Sequence, residues 1–165
     1  MKRNLFIAVV VLLLGGGGFL LYYFSDQQVI IRRCHGVAAA LAKKGAESPV
    51  VLALKMKEVK DFLAPACEVV VPEREYREVL DSGLAIRYLI MYRSRRADLQ
   101  VTFAEILVEI PSKGRAEVSA LVQVTGNRNR PDFFAETHRL AFSLIKQEKV
   151  WLLHRVILPD ALVRS

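Results

Sequence analysis

The chain has 165 residues and carries 24 basic against 17 acidic side chains, a net charge of +7 with a pI near 9.6. That length allows one domain and an accessory segment. The composition excludes repeats and low-complexity linkers, and no Gly-rich phosphate loop or nucleophile elbow is present, which argues against nucleotide-binding and serine-hydrolase classes.

Residues 5–24 carry no charge. At about 1.5 Å per residue, a helix of that length reaches across a hydrocarbon core of roughly 30 Å. The run predicts a membrane anchor; it is longer than the core of a cleaved signal peptide, and no Ala-x-Ala site follows it. The absence of a nearby cysteine argues against a lipoprotein anchor, and Gly15 to Gly18 do not give the Gly-x-x-x-Gly spacing of a helix-dimer face. Lys2 and Arg3 favour a cytoplasmic N-terminus against Arg32 and Arg33 on the far side, so the domain is expected outside the cytoplasm. Residues 25–165 then form one domain with a net charge of +5, its 22 basic and 17 acidic residues interspersed.

Ser25-Asp-Gln-Gln28 has the spacing of a capping box and predicts a helix whose Ile30, Cys34, Val37 and Leu41 share a stripe, with Lys43 and Lys44 at its end. Ser48-Pro49 starts a second helix, with Leu52, Met56, Val59 and Leu63 inward and Pro65 as its stop. Cys67 to Val71 reads as a short strand that pairs with Tyr76 to Leu80. Asp81-Ser82-Gly83 caps a third helix, whose Ile86, Leu89 and Ile90 face the core beside Ala85, Tyr88 and Tyr92. Arg93, Arg95 and Arg96 at its C-terminus are expected to be solvated and to complement the helix dipole. Cys34 and Cys67 are open to two readings. A disulfide between them would contribute about 3–4 kcal/mol in the chain-entropy model, while two separate buried thiols fit the usual burial of free cysteine.

The second half alternates as strands do. Val101 and Phe103 share a face, but Ile106, Val108 and Ile110 resume one residue out of phase, which predicts a bulge near Ala104-Glu105. After a turn at Pro111 to Arg115, Ala116, Val118, Ala120, Val122 and Val124 lie on one face. Gly126 to Pro131 turns again into Phe134, Leu140, Phe142 and Leu144, and Gln147 to Lys149 leads into a last strand from Trp151 to Leu158.

This order, together with the Ser82-Gly83 start of the third helix, the bulged strand Val101 to Ile110 and the closing Trp151-Leu-Leu-His-Arg-Val156, resembles the nuclear transport factor 2-like superfamily over residues 26–158. The superfamily is also described as SnoaL-like or as a cystatin-like cone, and the chain looks similar to its membrane-anchored bacterial members. The resemblance implies an α+β fold: after the transmembrane helix, a cone-shaped domain of three helices packed on a curved, mainly antiparallel sheet, in the order α-α-β-β-α-β-β-β-β, with a pocket at its wide end. Members include isomerases, hydrolases, dehydratases, ligand carriers and non-catalytic assembly subunits, so the fold leaves activity open.

No catalytic set of that superfamily maps onto this chain residue by residue. The candidates for acid–base chemistry are Glu136 and His138, two apart on the strand face shared with Leu140 and Phe142, where a carboxylate can orient an imidazole. Emergence of the strand into solvent explains the same pair as ordinary surface. His35 and His154 lie in no metal-ligand spacing, and no metal or cofactor is expected. An apolar pocket is expected around Tyr88, Phe103, Ala120 and Phe142, because small Ala116 and Ala120 face larger residues.

The opposite sheet face, with Leu107, Leu121, Ala141 and Ile145 among charged neighbours, is where a second copy or a protein partner is expected to dock. Arg128, Arg130 and the arginines from 93 to 96 suggest phosphate contacts, but anionic lipid is preferred to nucleic acid for a tethered domain. Taken together, the sequence predicts a single-pass protein of a bacterial inner membrane with a periplasmic, non-enzymatic interaction or assembly domain. The alternative is apolar-ligand binding or acid–base turnover in the pocket.

Overall fold

The computed structural model describes residues 25–160. The proposed anchor, residues 5–24, lies outside them; among the described residues no helix is long and apolar enough to cross a membrane.

Each helix starts at the cap its sequence encodes. The Ser25 hydroxyl accepts from the Gln28 amide at 3.4 Å and opens helix α1, Asp26–Leu41. Ser48 accepts from the Val51 amide at 3.3 Å ahead of Pro49, opening α2, Pro49–Lys60. The Asp81 carboxylate accepts from the amides of Gly83 and Leu84 at 2.8 and 3.2 Å and opens α3, Ser82–Ser94.

Seven strands make one mixed sheet: β1 (Lys43–Lys44), β2 (Leu63–Val71), β3 (Tyr76–Asp81), β4 (Asp98–Ser112), β5 (Arg115–Gly126), β6 (Phe134–Gln147) and β7 (Val150–Ile157). They lie in the order β1-β4-β5-β6-β7-β2-β3. Among the described residues the β2–β7 pairing alone is parallel. The expected bulge is present: the β4–β5 register slips between Ala104 and Leu107, with Glu105 in the left-handed region at φ 48°. It returns Ile106 and Val108 to the helix side of the sheet, where they pack on the core.

Two local expectations are corrected. Lys43 and Lys44 do not end a helix; they form the edge strand β1 opposite Leu99 and Asp98, after Ala42 leaves helical dihedrals. Leu63 is not on the stripe of α2, which stops at Lys60, and belongs instead to β2 opposite Leu153. Pro65 sits within β2, where the β2–β7 register is broken between Leu63 and Glu68, a position at which a missing N–H is tolerated.

The core gathers Ile30, Cys34 and Val37 of α1, Met56 and Val59 of α2, and Ala116, Val118, Ala120, Phe142, Leu144 and Trp151 of the sheet. Burying each large apolar side chain contributes about 1.5–3 kcal/mol. Cys34 and Cys67 are both free and buried. Burial pushes the Cys34 thiol up to about 12 and the Cys67 thiol up to about 11, so neither is a thiolate at neutral pH.

The molecule has two distinct ends. At one, the start of α1 is tied down: Asp26 takes Lys146 Nζ at 2.6 Å and Trp151 Nε1 at 3.0 Å, and Gln27 donates to the Val108 carbonyl at 3.2 Å. The β4–β5 turn joins them there, since the Lys146 amide donates to Gly114 O at 2.9 Å. At the other end lie the C-termini of α1 and α3, β1, and the loop between β5 and β6. A helix of 16 residues separates them, about 24 Å at 1.5 Å per residue.

Candidate functional site

Pairing across the sheet sets Glu136 opposite Val124 and His138 opposite Val122, and these in turn lie opposite Val101 and Phe103 of β4. The two polar residues therefore stand on an otherwise apolar, helix-facing wall. They also lie beyond the reach of β7, whose last partner on β6 is Ala141. His138 Nε2 and Glu136 Oε2 are 3.1 Å apart, with the side chains 15% and 33% exposed. At that distance the Glu136 carboxylate can accept from Nε2, with Nδ1 then free to accept, the arrangement of an oriented base. The pair predicted from the sequence is thus assembled, and it is half-buried rather than fully solvated. Among the described residues no group of three His, Cys, Asp or Glu side chains is placed to hold a metal.

The four residues expected to line a pocket lie in different settings. Ala120 is fully buried and Phe142 nearly so, both within the packed core. Phe103 meets Phe142 edge to face at 6.3 Å between ring centres. Tyr88 points outward from α3 and is exposed. Concavities also lie on the outside of the fold. One is a groove of about 540 Å³ between α1 and α2, floored by Val29, Val37 and Phe62; another, of about 650 Å³, lies beside β1 and the start of β4.

On the outer face of the sheet, Leu107 is 63% exposed, whereas Leu121 and Ile145 are half-buried. Register places Leu107, Ser119, Ala141, Ile157 and Val70 in one row across five strands. The neighbouring row is charged: Glu109 lies directly opposite Glu117, and Glu68 takes Arg77 and Arg155 at 3.0 and 3.1 Å. Ser143 Oγ donates to Glu117 at 2.7 Å. The β6–β7 register slips beside Ser143, leaving His154 unpaired in β7 and exposed at this face, away from any other histidine.

Arg93 corrects the expectation of a solvated arginine cluster, because it is 2% exposed. Its Nε donates to Leu41 O at 2.9 Å, and one terminal nitrogen donates to Ala42 O at 3.0 Å and Glu47 Oε2 at 2.8 Å. It satisfies the orphan carbonyls at the C-terminus of α1. Lys55 adds bonds to Ala42 O and Glu47 Oε1, and Lys43 Nζ closes the C-terminus of α3 through the carbonyls of Arg93 and Arg96. A signal was present in the sequence: Arg93 continues the spacing of the buried stripe Ile86, Leu89 and Ile90. For Glu47, burial works to raise the pKa, but the bonds and charges of Lys55 and Arg93 outweigh it and hold the carboxyl below its ordinary value.

No known family profile and no curated protein matches the sequence. Solved structures do match the fold. A scytalone dehydratase-like protein of Novosphingobium aromaticivorans aligns at a TM-score of 0.61 and 13% identity, covering 78% of each chain. A cystatin-like-fold protein of Nostoc punctiforme aligns at 0.57 and 8% identity, over 79% of this chain and 86% of that one. The CaMKII association domain of C. elegans aligns at 0.58 and 12% identity, over 80% of this chain and 93% of that one. At these identities the likeness speaks for architecture alone. The described chain has the cone-shaped α+β fold of nuclear transport factor 2-like and cystatin-like proteins.

Proposed function

We propose that this protein is a membrane-anchored, non-enzymatic assembly domain whose outer sheet face docks a second copy of the chain, with the domain on the periplasmic side of a bacterial inner membrane. The observation that carries the reading is the exposed Leu107, in a row with exposed Ala141 and half-buried Ile157 and Val70 on that face, flanked by a Glu109–Glu117 pair whose like charges oppose each other within one chain. A second copy related by two-fold symmetry would set this patch against itself, and the patch also carries Arg77 and Arg155, paired to Glu68 within the chain. The likeness to an association domain supports an assembly role over turnover. The uncharged run 5–24, ending directly before the Ser25 cap, supports the anchor.

Substituting Leu121→Asp in the full-length chain tests the docking face. Sedimentation in non-ionic detergent is expected to show dimer for the parent and monomer for the variant, with the melting temperature of the domain little changed. Dimer retained in the variant removes this face from consideration.

A second reading rests on the Glu136–His138 bond at 3.1 Å: binding or acid–base turnover of a small apolar compound against Val122 and Phe103. It predicts a rise in melting temperature with such compounds that His138→Gln removes. A melt insensitive to every compound in a carbonyl and aromatic panel sets this reading aside.

A further inference from the structure

The end of the domain opposite the start of α1 carries a cluster of positive charge. Lys44, Arg95, Arg128 and Arg130 are exposed there, and Arg96 is half-exposed. The acids of the same end are engaged internally. Glu47 holds Arg93 and Lys55, Asp98 accepts the Arg128 amide at 3.0 Å, Asp132 accepts Asn127 Nδ2 at 2.6 Å, and Glu136 holds His138. Among the described residues, Lys44, Arg95 and Arg130 meet no carboxylate.

The patch is built rather than loose. Asn127 is 1% exposed and accepts the Ala97 amide at 2.9 Å, fixing the loop that carries Arg128 and Arg130. Asn127 and Asn129 are held at φ 55° and 61°, dihedrals uncommon outside glycine. Phe134 covers Gly126 so closely that an added Cβ would lie 2.5 Å from its ring. The Arg96 guanidinium lies over the Phe134 ring at 4.7 Å and over the Tyr92 ring at 5.0 Å. Tyr92 and Phe133 stay exposed at 38% and 54% beside these cations.

We infer that this end is a docking surface for an acidic segment of a partner protein that also carries an apolar anchor. Arginine and aromatic side chains together are the composition of protein-binding hot spots, and the cations steer an anionic partner. A lipid surface fits less well, because the arginines lie a full helix length, about 24 Å, from the residue that follows the proposed anchor. On the anchored reading the patch faces away from the bilayer, toward whatever approaches the membrane.

The test titrates the full-length chain, in non-ionic detergent and in phosphatidylcholine nanodiscs, with a short fluorescent glutamate-rich peptide bearing one leucine. A single-stranded DNA oligonucleotide and phosphatidylglycerol vesicles are the competing probes. The peptide is expected to bind equally well in detergent and nanodisc, and about tenfold more weakly when salt rises from about 50 to about 300 mM. Arg95→Glu with Arg130→Glu is expected to lose at least about tenfold in affinity, whereas Lys113→Glu with Lys149→Glu, at the opposite end, changes it less than about twofold. Equal losses from both pairs overturn the inference, as does tighter binding of DNA or vesicles, or peptide binding lost in the nanodisc alone. Failure to enter nanodiscs bears on the anchor only, since the detergent arm still reads the patch.

Discussion

Arg93 shows how one residue joins elements far apart in the chain. Its guanidinium links the C-terminus of α1 to Glu47 and α3, and Glu47 is its only carboxylate partner among the described residues. Replacing Glu47 with Gln leaves a buried cation without its counter-charge, and is expected to cost about 3 kcal/mol in urea unfolding. The folded-state pKa of Glu47 lies below its unfolded value. Its contribution is therefore complete above the unfolded carboxylate value of about 4.3 and is lost as the pH falls through the lower folded one. Asp26 behaves in the same sense, its pKa lowered first by the hydrogen bond from Lys146. Stability is expected to hold flat from neutral pH to about 5 and to fall below it, with a shallower fall in Glu47→Gln. An unchanged acid slope in that variant would contradict this account of the network. Cys34 and Cys67, by contrast, stabilise as plain buried groups and not as a crosslink.

At the level of elements, the second half of the chain was legible because its periods are strict. The slip in phase after Phe103 located the bulge at Glu105, and the caps at Ser25, Ser48 and Asp81 stand where their side chains can accept amides. The first half misled where tertiary pairing overrides local propensity. Lys43-Lys44 has no strand signal of its own and is a strand only because the start of β4 offers it an edge. Leu63 fits the periodicity of α2, yet pairing with β7 draws it into the sheet. The site was legible in part, since strand parity alone brought Glu136 and His138 together. Parity says which way Ala120 points and nothing of contacts such as that between Phe103 and Phe142, which depend on how the sheet curves. Trp151 is the tie between α1 and the sheet: it is 1% exposed, and its Nε1 donates to Asp26. Trp151→Phe keeps most of the apolar burial and loses that bond, with an expected destabilisation of about 1–2 kcal/mol by circular dichroism in urea. A loss near zero would show that α1 is held by its apolar stripe alone.

For the whole molecule, the two ends and two faces of the cone divide the proposed work. The N-terminal run would hold the end carrying Asp26 near the bilayer, the outer sheet face would pair two copies, and the basic end would be left for a partner. The half-buried Glu136–His138 pair is an arrangement that points instead toward chemistry.

The measurement that bears most directly on the central claim is chemical crosslinking of the full-length protein in its native membranes, after carbonate extraction, beside the Leu121→Asp variant. The account predicts a chain that stays with the membrane pellet and crosslinks to itself through the outer face, with the dimer absent from the variant. A chain released by carbonate, or one recovered as monomer from both samples, would contradict it.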